Sequence, residues 1–170
     1  MIIIFAVLAV VLQILLSPYI KIFNATPNII ASYVLAVSVV RQSSNRVVVL
    51  AFVLGLCYNL FIGGAVGAMS LLLVVLSFVL GKAQQVLDND SSFIPITLMV
   101  IAVVLLEFFY AFLLTLTGTL DNFGSALITT TLPCAIYSIV FALIWYFVMK
   151  KFAPEPSNTF PSVNDSMVLR

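Results

Sequence analysis

Residues 47–81, VVVLAFVLGLCYNLFIGGAVGAMSLLLVVLSFVLG, run from Arg46 to Lys82 without a single charge. As one helix these thirty-five residues would be about 52 Å long at ~1.5 Å per residue. A hydrocarbon core is only ~30 Å thick. Gly63-Gly64 supplies the break, so the stretch predicts two membrane helices and a tight turn. Within it Ala51, Gly55, Asn59, Gly63 and Gly67 recur every fourth residue among Val, Leu, Phe and Ile. Small residues at that spacing let helix backbones approach closely in lipid, where van der Waals contact replaces the hydrophobic effect. The register predicts a helix-packing surface, facing either a neighbouring helix of this chain or a partner's helix.

The rest of the 170-residue chain has the same character. It is 64% hydrophobic and 8% charged, with no histidine, and its mean hydropathy is +1.27. Soluble domains carry roughly 25% charged residues, and seven basic and six acidic side chains cannot clothe a soluble surface of this size. A net charge of +1 gives no argument for nucleic acid or acidic ligands. Cys57 and Cys134 both sit in apolar runs, with neither a disulfide framework nor metal-ligand spacing between them. No nucleophile-base pair, phosphate loop or metal cluster is written in the sequence. The expectation is a non-enzymatic protein without catalytic, cofactor or metal residues.

Runs of roughly 17–25 apolar residues give six spans, at about 1–20, 27–41, 47–62, 65–81, 93–116 and 123–149. The first lacks a basic leader and a small-x-small cleavage site, so it reads as an uncleaved span. The second opens at Thr26-Pro27, a capping residue followed by proline at the first helical position. Pro133 falls inside the sixth, after Thr129, Thr130 and Thr131, whose hydroxyls can resatisfy freed backbone groups. A bend is expected there.

Six spans with both termini cytoplasmic place Arg41, Arg46, Lys82, Lys150 and Lys151 inside and Lys21 outside, as the positive-inside rule requires. The short second span also permits a five-span arrangement by charge alone. Six is preferred because fifteen nearly unbroken apolar residues suit a surface loop poorly. Trp145-Tyr146 near the inner boundary, and Tyr19 with Phe23 near the outer one, fit aromatic belts. Residues 1–151 then form one multi-pass membrane domain. Residues 152–170, with Pro154, Pro156 and Pro161 among Ser, Asn and Asp, read as a disordered cytoplasmic tail.

Glu107 is the one acidic residue inside a span. Ionised at the helix centre it would cost ~2.5–3.5 kcal/mol on insertion scales, so it must be neutral, paired or turned to a wet interior. Val103, Val104, Tyr110, Ala111 and Leu114 share its helical face, which carries no base. Glu107 is a candidate ligand, proton or partner site. Equally, it can be a structural carboxyl bonded across the bundle to Asn59, Gln13 or a threonine.

The order of these features resembles the MreD family of rod shape-determining membrane proteins. Pro27-Asn28 opens a short apolar helix ending at Arg41. Phe52-x-x-Gly55-Leu56-x-x-Asn59-Leu60 follows, then Gly63-Gly64-x-x-Gly67, then an apolar run closing at Gly81, with Leu12-Gln13-x-x-Leu16-x-Pro18 upstream. The resemblance covers roughly residues 1–150, and residues 27–81 are its diagnostic part. Family members often carry an acid where Asn59 stands and a glycine where Gln42 stands, so this chain lacks a charge in its third span.

The resemblance implies a six-helix bundle similar to the S component of energy-coupling-factor transporters. It also implies a scaffold role in cell elongation with MreC, within an assembly of MreB, RodA and a class B penicillin-binding protein. A second reading, a small-molecule-binding S component, needs convergent polar groups, and the spans offer few beyond Gln13, Asn59 and Glu107.

Overall fold

Without water, a backbone in the bilayer must bond within its own segment, and an apolar run therefore closes into a helix. The computed structural model describes residues 2–16, 19, 26–41, 45–62, 67–87, 93–118, 124 and 127–152. It shows α1 (Ile2–Leu16), α2 (Ile29–Val40), α3 (Asn45–Ile62), α4 (Ala68–Val86) and α5 (Phe93–Leu116). A π-helical turn, Leu127–Thr131, then runs directly into α6 (Leu132–Phe152). Among the described residues the chain is all-α, with six apolar helices, as a helical membrane protein requires. α4, α5 and the continuous 127–152 segment are long and apolar enough to cross a membrane, whereas α1, α2 and α3 are shorter.

The helices alternate in direction, as short connections require of neighbours. Gln13 near the end of α1 meets residues 27–30, while the carbonyl of Ile2 at its start accepts from the Tyr33 hydroxyl at 2.6 Å. α1 and α2 are thus antiparallel. Cys134, Ser138 and Trp145 along α6 meet Thr26, Ser32 and Tyr33 in the same order, so α2 and α6 run parallel. In this arrangement Arg41, Arg46, Lys82, Lys150 and Lys151 all fall at one end of the bundle.

The short second span occupies the centre of the molecule. All twelve residues of α2 are buried, and α2 packs against each of the other five helices. A helix shielded on every side has no lipid thickness to match, so its length is set by its neighbours. The helix most easily assigned to the surface by length is the best enclosed.

Two expectations change. The first concerns the start of α2. Its N-cap is Asn28, whose side chain accepts from the Ala31 amide at 3.1 Å; Thr26 and Pro27 precede the helix. The second concerns Trp145 and Tyr146, which are 5% and 4% exposed and belong to the core. Trp145 packs edge-on against Tyr33 and Phe5 at centroid distances of 5.0 and 6.1 Å. Indole and phenol can serve a core as well as a membrane interface, and spacing from a helix end does not tell these apart. Tyr19 is exposed. Phe23, Lys21, the Gly63-Gly64 turn and the 153–170 tail lie outside the described residues.

Where a bend is expected near Pro133, the described residues carry a π turn. The three threonines close it, and Pro133 becomes the second residue of α6. With no N–H, Pro133 cannot bond back to a carbonyl of the turn that precedes it, and this gap in the ladder coincides with the change from π to α geometry.

Candidate functional site

Gln13, Ser32, Cys134 and Ser138 converge on the beginning of α2. Gln13, buried on α1, spans the gap with its amide: Nε2 donates to Pro27 O at 3.1 Å, and Oε1 accepts from Ile29 N at 2.6 Å and Ile30 N at 3.4 Å. Those amides are among the four that every helix start leaves unpaired. Cys134 Sγ donates to Thr26 O at 2.9 Å. The Ser32 hydroxyl lies 2.8 Å from Asn28 O and 2.7 Å from Ser138 O, and its one proton serves either.

Ser138 links this cap to the buried acid. Its Oγ accepts from Asn28 N at 3.0 Å and donates to Glu107 Oε1 at 3.2 Å. Glu107 is 5% exposed, so neither lipid nor bulk water faces it. Cys134 and Asn28 lie close enough to interact with the same carboxyl, although Asn28 Nδ2 closes no bond of hydrogen-bond geometry. Tyr58 and Tyr110, packed edge-on at 6.0 Å, are within electrostatic reach of it. Every described neighbour is uncharged, and the nearby start of α2 carries the positive end of a helix dipole. The expected partners were Asn59, Gln13 or a threonine; the partner is Ser138, contributed by α6.

The four-residue register divides into separate jobs. Ala51 is fully buried. A Cβ placed on Gly55 would lie 2.5 Å from Ser70 Cα and 2.8 Å from Ser70 N, so α3 and α4 meet backbone to backbone here. Ser70 Oγ fastens the contact by donating to Phe52 O at 2.8 Å. Asn59 is 3% exposed, and neither atom of its amide has a hydrogen-bond partner.

Gly67 serves a different purpose. It is the N-cap of α4 with φ 87°, and a Cβ there would meet nothing within 4 Å. Within the chain, its value is the left-handed backbone conformation that glycine adopts freely. Gly63 lies outside the described residues.

Two polar residues of the cluster carry no mark in the sequence. Ser138 and Ser32 look like any small residues of an apolar helix, and only the rotation of α6 about α2 makes them a junction. Their spacing from Glu107 carries no signal of it. Chemically, the cluster is a set of neutral donors around one carboxyl and one helix start. Among the described residues there is no group of three or more His, Cys, Asp or Glu side chains placed to hold a metal ion.

Comparison with known proteins gives one match. The family model of the rod shape-determining protein MreD matches residues 1–154. No curated protein matches, and no solved structure matches, so the likeness to transporter S components has no structural counterpart.

Proposed function

Since the chain belongs to the MreD family of rod shape-determining proteins, we propose that it is a non-enzymatic membrane scaffold of the cell-elongation machinery, holding MreC in the cytoplasmic membrane. The family match carries this reading. The wider assembly would comprise MreB, RodA and a class B penicillin-binding protein, and its output would be regulated cell shape and peptidoglycan synthesis. The basic end of the bundle faces the cytoplasm in this reading, since loops rich in Lys and Arg remain inside. Both termini then lie in the cytoplasm, with residues 153–170 following α6 on that side.

The use of the polar side chains supports a scaffold over a transporter subunit. Gln13, Ser32, Ser138 and Cys134 are bonded to backbone at the start of α2, where they fix a helix. What a scaffold needs is a fixed outer surface, and a central helix tied to its neighbours provides one. Gly55 contributes to the same end by joining α3 to α4.

Co-purification in mild detergent tests the proposal. Tagged full-length protein should retain MreC at near-equal amounts. Glu107→Gln should retain it too, because a carboxamide preserves an acceptor for Ser138. A folded wild-type protein that never brings down MreC would overturn the scaffold reading.

A further inference from the structure

The end of α2 opposite the Glu107 cluster carries a cation that has no acidic partner among the described residues. Arg41 is the C-cap of α2, with its N–H bonded to Val37 O at 2.9 Å. Its side chain is half-buried, and its Nε is enclosed with no hydrogen-bond partner. Gln84, 6% exposed on α4 at the same end, has an Oε1 that is likewise unpartnered. Arg46, Lys82 and Lys151 are exposed at the same end of the bundle. Among the described residues the only acid is Glu107, which sits beside the start of α2, at its far end. Asp88 and Asp90 lie outside the described residues.

A helix C-terminus favours a nearby cation through its dipole but offers a guanidinium no carboxylate. Arginine's planar fork matches carboxylate and phosphate oxygens in pairs, so the unfilled chemistry at Arg41 is anionic. The position of α2 then separates two sources of anion. Lipid headgroups surround the perimeter of a bundle, whereas α2 is walled off by five helices. The end of such a helix lies away from the lipid-facing perimeter, which favours an anion that arrives from the aqueous side.

We infer that the centre of the basic end, around Arg41, docks a carboxylate-bearing segment of a water-soluble protein. Arg41 forms the central paired contact, and Arg46, Lys82 and Lys151 supply longer-range attraction at the rim. This holds whichever protein the membrane-embedded faces engage, so loss of MreC binding and loss of this docking are separable results.

The test uses full-length protein in phosphatidylcholine nanodiscs and a fluorescein-labelled decaglutamate peptide, followed by anisotropy at physiological salt. Saturable binding is expected. Arg41→Gln should weaken it by about tenfold or more, as for a charge pair held in a part-buried site. Lys151→Gln removes the same charge at the rim and should cost no more than about twofold. Equal losses, or no saturable binding, would overturn the proposal.

A second measurement needs no variant. Phenylglyoxal modification of the wild-type protein, read by mass spectrometry, should show the peptide protecting Arg41 and leaving Arg46 reactive. Unchanged reactivity of Arg41 would contradict docking there. Protection of Arg41 by phosphatidylglycerol nanodiscs without peptide would assign the site to a lipid headgroup instead.

Discussion

At Gly55 the space between two helices is smaller than a methyl group. Gly55→Ala should lower the thermal midpoint in detergent, at a cost of about 1–3 kcal/mol, because Ser70 backbone, not a yielding side chain, occupies the space. Gly55→Leu should prevent α3 and α4 from closing and leave little folded protein by size-exclusion chromatography. Asn59 predicts the opposite sign. Its amide is buried without a partner, so Asn59→Leu should leave stability unchanged or raise it, as expected when no bond is lost. A large drop in the midpoint of Asn59→Leu would mean the amide is satisfied after all. Gly55 was legible in the sequence because four-residue spacing of small side chains suits close helix packing in lipid. Gly67 shares the spacing for another reason, a backbone φ of 87°, which no periodicity encodes. The partner of Glu107 was not legible, since Ser138 stands thirty-one residues away and the pairing depends on how α5 and α6 are rotated.

Among the elements, α2 depends on side chains that other helices lend it. Gln13→Leu removes one donor and one acceptor from the start of α2, leaving Pro27 O and Ile29 N unpaired inside the bundle. Interhelical side-chain bonds in membranes average ~0.6 kcal/mol; a lost cap with stranded backbone should exceed this, at about 1–3 kcal/mol. Reversible unfolding in mixed detergent would measure it. Ser138 sits between two elements, so its contribution should not add to that of Glu107. A double-mutant cycle of Ser138→Ala with Glu107→Gln should give a coupling of about 0.5–3 kcal/mol, and independent effects would show that the 3.2 Å contact does not hold in the bilayer. The existence and order of the six helices could be read from apolar runs broken by charge, glycine or proline. The N-cap could not be placed to the residue, because Thr26 and Asn28 are both competent caps and tertiary bonds decided between them.

For the molecule as a whole, alternating helices put five basic residues at one end, and labelling of single cysteines can check it. Cysteines at Arg46 and Lys82 should react with an impermeant maleimide from one side of the membrane, and a cysteine at Thr117 from the other. Labelling of Arg46 and Lys82 from opposite sides would break the six-helix alternation. The same enclosure of α2 that shapes Arg41's surroundings also bears on how the protein is made. Twelve residues, ~18 Å of helix, is the length of a core helix and not of an independent span. Such a segment has little reason to remain in the membrane as it leaves the ribosome. Its most extensive neighbour is α6, which follows the other five described helices in chain order, so the centre of the bundle is completed only after α6 has emerged. A Val37→Cys chain arrested after residue 118 should therefore react with maleimide, while the full-length chain, where Val37 is fully buried, stays closed. Protection in the arrested chain would mean that five helices suffice, and that α6 seals a centre already formed.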